Sequence, residues 1–463
     1  MKRLPALLLF TLGVGAHASA QQPDSLSFIR SKRMSDADLA KKREGTFITG
    51  LPDASSDPVT GFGVGIKSNV YWNGTRDNPL FAYTPYLAHL KANVAYYTSN
   101  ARELSLSADV PYYRGSRWRY RVDFKAQQNP TNLYFGLTDA TLGQLRLPSD
   151  PTRTFATYED YDNARKQLRP GQAGEAALVT DALSNRFRET EYMLNLKADY
   201  AIGAGKMRVM GGYEIQNLQY KTFTGTKTDA VDPQTGASSS APNGKSLLER
   251  DFEQGTIFGL KGGWISIVQT ALIYDTRDFE PDPTKGVYFE AANEFSNKII
   301  GSQFNFNKVF FQGRLYQKLP VGRRTVFAAR AGAGTIFGKE APFFEFQDQW
   351  SPDGSINALG GKQSLRGYRQ NRFLARTVAF ANTELRIRVA DLKLGRQSFG
   401  FGVAPFADAG TVRNRWQDLS FDNIKLSYGA GGRVAWNLST IVFLDYGISR
   451  EDRLLYFGIG QVF

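Results

Sequence analysis

The sequence contains no cysteine and only two histidines. Disulfides, thiolate metal sites and cysteine nucleophiles are therefore excluded. His17 falls within an N-terminal leader, so His89 is the one imidazole left to the rest of the chain. One imidazole cannot build a histidine-rich metal site, and neither a G-x-S-x-G elbow nor a phosphate-binding P-loop points to hydrolase or nucleotide chemistry. No catalytic residue, metal or cofactor is expected. Beyond the leader the chain also lacks any apolar run near the ~20 residues a membrane helix needs. Basic residues exceed acidic ones, 57 to 44, for a formal charge of +13, but they are scattered rather than clustered. That distribution suits a lumen wall and a rim facing anionic surface lipid, and it argues against a nucleic-acid partner.

What is present begins with the leader. Lys2 and Arg3 precede an apolar stretch at 4–16, and Ala18-Ser19-Ala20 forms a small-residue cleavage site. This is the pattern of a cleaved signal peptide over 1–20, with export starting at Gln21. The apolar run is too short for an anchor. No cysteine follows the site, so a lipoprotein is excluded.

Aromatic residues make up 13% of the chain, with 33 Phe and 22 Tyr, beside 45 Gly. Mean hydropathy is nevertheless −0.36. Many aromatics in a polar chain fit a membrane β-barrel with an apolar outside, a polar lumen and aromatic girdles. Periodicity points the same way. Trp118, Tyr120, Val122 and Phe124 alternate with Arg119, Arg121 and Asp123, and Tyr192, Leu194, Leu196 and Tyr200 with Asn195, Lys197 and Asp199. An all-β, antiparallel transmembrane barrel of sixteen strands is expected, at about 45–53, 60–72, 84–98, 102–112, 117–128, 189–201, 206–219, 255–276, 286–297, 303–318, 324–336, 376–390, 398–410, 425–436, 441–449 and 454–463. A phase slip between Phe306 and Val309 suggests a bulge. With an even count both termini lie in the periplasm. Every connection then expected on that side is short, and the long ones, at 129–188, 220–254, 337–375 and 411–424, all fall outside. Residues 21–44 form a short periplasmic segment with a helical turn or two at 35–44, and 158–168 and 172–188 look weakly helical. His89 belongs with Lys91 and Asn93 on the lumen face, opposite Tyr86, Ala88, Leu90 and Val94.

Three motifs stand out. Leu365-Arg366-Gly367-Tyr368 lies in the long 337–375 loop, which is the sixth outer loop by count. Phe406-Ala407-Asp408-Ala409-Gly410 ends the next strand but one. Tyr274-Asp275-Thr276-Arg277-Asp278 is followed by Pro283-Thr284-Lys285-Gly286. Together they resemble the bacterial surface antigen family of outer-membrane β-barrels, the superfamily of the BamA and TamA assembly factors. The likeness is strongest over 255–463, weaker over 45–128, and absent from 129–188 and 220–254. It implies a sixth loop folded into the lumen, its tip Arg366, Gly367 and Tyr368 held by acidic wall residues. Asp408 matches one such partner and Glu384 a second. Asp275, Arg277, Asp278 and Gly286 match a family motif at a periplasmic turn. The last strand, with Phe457, Ile459 and the terminal Phe463, resembles the signal by which such barrels are handed to their assembly machinery.

The resemblance implies an outer-membrane protein of a Gram-negative bacterium, without POTRA domains, that takes part in inserting or translocating proteins or lipids through a lateral seam between first and last strands. Outer-membrane lipid, lipopolysaccharide, the assembly machinery and client proteins or lipids would be its partners. The alternative is a non-enzymatic pore or structural surface protein that keeps the fold and inserts nothing.

Overall fold

The computed structural model describes residues 23–57, 61–322, 324–395, 397–437 and 439–463. The expected signal peptide lies outside them. Among the described residues, sixteen strands form a single antiparallel sheet in sequential order: β1 Thr46–Asp57, β2 Gly61–Trp72, β3 Ala88–Tyr97, β4 Arg102–Val110, β5 Trp118–Leu133, β6 Arg186–Ile202, β7 Met207–Thr222, β8 Gly262–Asp275, β9 Gly286–Ser296, β10 Phe306–Leu319, β11 Arg324–Phe337, β12 Thr377–Leu394, β13 Gln397–Arg413, β14 Lys425–Trp436, β15 Thr440–Ile448 and β16 Arg453–Ile459. The sheet curls until β16 comes beside β1.

Its two faces are inverted relative to a soluble sheet. Tyr192, Leu196, Leu272, Phe289 and Phe311 are exposed, while Asn195, Asp199, Gln269, Glu290 and Gln312 on the same strands are buried. Large apolar groups outside and hydrogen-bonded polar groups inside are what a lipid solvent selects, and a curled sheet leaves the fewest backbone groups unpaired in it.

Three departures from expectation have separate causes. No bulge interrupts β10, whose ladders to β9 and β11 keep register throughout. Phe306 and Phe310 instead face the lumen, packed among Phe343, Phe344, Trp350 and Phe380. The apparent phase slip is an apolar lumen floor for the 338–376 loop. Register shifts occur elsewhere, between Phe187 and Glu189 and between Arg388 and Ala390. Tyr86 likewise points inward rather than to lipid. It precedes β3, donates to Asp109 at 2.7 Å and packs on His89. The stretch 172–188 is not helical. It holds a strand, Leu178–Thr180, paired with Leu168–Pro170, and then the start of β6. A helix does form at Tyr158–Arg165, capped by Thr157. Another, Asp36–Lys41, is capped by Ser35 within the N-terminal segment.

Candidate functional site

The 338–376 loop enters the lumen, and Arg366 is its most buried charge, 1% exposed. The guanidinium Nε and Nη2 donate to the two oxygens of Asp408, each at 2.8 Å. Nη1 donates to Glu384 at 2.7 Å and to Asp445 at 2.9 Å, and the Arg366 backbone N–H adds a bond to Asp408 at 3.1 Å. The plane lies over the Phe406 ring at 3.4 Å. Alternation places these partners: Glu384 on β12, Asp408 on β13 and Asp445 on β15 all have the parity that faces inward. Three carboxylates around one cation would repel one another. Arg386 meets Glu384 at 2.9 Å, and Arg433 pairs with both Glu384 and Asp445, so three cations face three anions. Burial works against the charged Arg366, but Asp408, Glu384 and Asp445 outweigh it and hold its pKa above the ordinary arginine value.

Gly367 then takes φ +89, and a Cβ there would lie 2.8 Å from the Ile448 carbonyl carbon. Only glycine tolerates both the turn and the approach. Its N–H donates to the Tyr456 hydroxyl at 3.1 Å, which in turn donates to the Tyr368 carbonyl. Tyr368 is buried edge-on to Phe373. The loop tip thus ties β12, β13, β15 and β16 to one another.

The periplasmic-turn motif forms a second cluster. Arg277 grips Asp275 through Nε at 3.1 Å and Nη2 at 3.2 Å and lies over Tyr288. Asp278 organises the turn itself, accepting from the backbone of Phe279 and Thr284 and from the Thr284 hydroxyl. Gly286 closes it at φ +108, where a Cβ would strike the Thr276 carbonyl. Asp353, from the inserted loop, reaches this cluster and bridges Arg277 at 3.1 Å and Arg314 at 2.5 Å. Burial alone would raise the Asp353 pKa, yet the two guanidiniums hold it well below the usual carboxylate range.

Residues 88–463 match the Omp85 superfamily domain, and residues 24–87 match a domain of unknown function, DUF5982. The chain belongs to the Omp85 superfamily. Neither match includes a POTRA domain. At the family level this makes it an outer-membrane β-barrel. Among solved structures, this Omp85 chain is similar to BamA from Haemophilus ducreyi lacking POTRA domains 1-3, with a TM-score of 0.48 and 12% identity over 90% of this chain and 70% of that one. It is also similar to CdiB from Escherichia coli, with a TM-score of 0.47 and 10% identity over 90% of this chain and 62% of that one. No curated protein matches the chain in sequence.

Several members of this Omp85 site were not singled out from sequence. Asp445 has the right parity on an alternating strand but sits in no motif. Asp353 and Arg314 pair only because the loop is inserted. Lys32, from the N-terminal segment, meets Asp275 at 3.1 Å. Around it Leu26, Phe28 and Ile29 pack on Leu80 and Ala201, and Lys42 donates to the carbonyls of Phe81 and Thr84, so this segment covers the periplasmic mouth. The C-terminal residues also differ from expectation. Phe457 and Ile459 face outward on β16, but the strand ends at Ile459 and Phe463 turns into the lumen. There Arg330 and Arg386 lie over its ring, at 4.9 and 5.1 Å. The apolar lumen wall of Tyr316 and Val326 draws it in. His89 stacks on Tyr71 and bonds Asn69 at 3.0 Å, which makes it a wall residue.

Proposed function

We propose that this Omp85 barrel passes a polypeptide or lipid client sideways through the seam between β1 and β16. One observation carries the reading. Every other pair of neighbouring strands is joined by a hydrogen-bonded ladder, whereas among the described residues none joins β16 to β1. The nearest side-chain link bypasses β16: the Thr49 and Tyr71 hydroxyls each lie 3.1 Å from that of Thr440. Unpaired strand edges are costly in lipid, so a client edge offered at this seam gains more hydrogen bonds there than anywhere else. The Arg366 anchor supports the same reading. It fastens the strands on one side of the seam and leaves β1 outside its grip. The role as a passive open pore is disfavoured by a lumen occupied by the sixth loop and covered by the N-terminal segment.

The test uses the absence of native cysteine. A Cys at Ile48 is paired with one at Phe457 or Ile459, all facing outward near the periplasmic end. Oxidation should leave a folded, heat-modifiable barrel and abolish client insertion or secretion in cells, with reductant restoring it. Undiminished function with the seam locked would sink the proposal.

A further inference from the structure

A pocket open to solvent lies at the periplasmic end of the C-terminal strands, on the periplasmic flank of the Arg366 network, with which it shares Arg386 and Arg433. Four guanidiniums line it: Arg324 on β11, Arg386 and Arg388 on β12 and Arg433 on β14. Among the described residues a single lining carboxylate, Asp282, faces them. Asp282 is already shared, meeting Arg324 at 3.0 Å, Arg388 at 3.5 Å and the Gln461 amide at 2.9 Å. Glu384 and Asp445 engage Arg386 and Arg433, but they are committed to Arg366 as well.

Two further observations point to a missing anion. Arg386 and Arg433 are each 7% exposed, and among the described residues each keeps one buried donor without a partner, Nη1 of Arg386 and Nε of Arg433. A buried guanidinium N–H left unsatisfied is costly. The wall is also shaped for the cations: Arg388 Nη1 occupies the space a Cβ at Gly400 would fill.

We infer that this vestibule binds a phosphoryl oxyanion. The donors come from three strands, so they do not converge as one planar fork suited to a carboxylate. A tetrahedral group presents oxygens in several directions, and arginine is the residue that meets such oxygens with fixed, charge-assisted bonds. The position on the periplasmic side leaves two sources, a free phosphate ion and the headgroup of a phospholipid. This site does not depend on the lateral-seam reading.

The experiment titrates the full refolded chain in micelles with inorganic phosphate at constant ionic strength, by calorimetry. Saturable binding is expected, weakened about tenfold or more in Arg388→Gln, and retained in Arg415→Gln, whose partner Asp418 lies on the outer surface. If Arg388→Gln loses its heat-modifiable migration, Arg324→Gln, on a side chain 25% exposed, carries the comparison. A second arm uses short-chain phosphatidic acid in the same micelles. Tighter binding that competes with phosphate assigns a headgroup, and equal or weaker binding assigns the free ion; both uphold the site. No saturable binding in the wild type, unchanged binding in both arginine variants, or displacement by equimolar acetate would overturn it.

Discussion

Arg366 makes four side-chain hydrogen bonds to three carboxylates, which no other residue type could do, because only guanidinium presents five donors in a fixed plane. Removing it leaves Glu384, Asp408 and Asp445 facing Arg386 and Arg433 alone. Breaking such a buried pair costs about 3–5 kcal/mol. Arg366→Ala should therefore lower the temperature at which heat-modifiable migration is lost. It should also open the loop to trypsin at Lys362, Arg369 and Arg372. Arg366→Lys should recover only part, since a lysine lacks the fork. Wild-type stability in the alanine variant would mean that the network contributes nothing net. Arg366, Glu384 and Asp408 could be picked out because two short motifs and strand parity agree on them. Asp445 could not, although parity alone turns it inward: many inward charges line this lumen, and nothing in the chain distinguishes the one that a distant loop will reach.

The strands were legible because lipid outside and water inside impose period two on every one of them. The inserted loop was legible as a loop but not as a core. Phe306 and Phe310 break the pattern of β10 only because Phe343, Phe344 and Trp350 descend onto them. The same loop carries Glu345, buried with Lys308 and Glu294 at the outer end of the barrel, with the half-exposed Asp348 beside them. Lys308 reaches all three carboxylates at 3.0–3.1 Å. One cation cannot balance three anions. Burial first, and then the repulsion from Glu294 and Asp348, push the Glu345 pKa up to about 7 against the pull of Lys308. A raised folded-state pKa means that the proton stabilises the docked loop fully below the ordinary glutamate value of about 4.3. That contribution is lost as pH rises through about 7. Protease nicking of the 338–376 loop should accelerate between pH 6 and pH 8. Glu345→Gln, which keeps a neutral hydrogen-bonding group, should flatten that rise. A pH-independent wild type would show that Glu345 stays ionised throughout.

At the scale of the whole molecule, the lumen is obstructed twice in series. Toward the outside the loop runs from Gly338 to Arg376, and Arg372 bonds Glu451 of the β15–β16 turn and the carbonyls of Thr141 and Gly143, which joins the loop to the 134–185 cap. At the periplasmic end the N-terminal segment is held by Lys32 on Asp275 and by Phe28 and Ile29 in their apolar seat. Neither obstruction belongs to the sheet, whose ladders run from β1 to β16 without either of them. Two barriers in series conduct only when both are open. Deleting residues 23–41 alone should leave a folded barrel that conducts no more than the wild type in planar bilayers, because the loop still fills the lumen. Arg366→Ala alone should do the same, because the periplasmic mouth stays covered. The combined variant should show sustained conductance well beyond the sum of the two. Sustained conductance in either single variant would identify that element as the sole barrier and remove the other from the path.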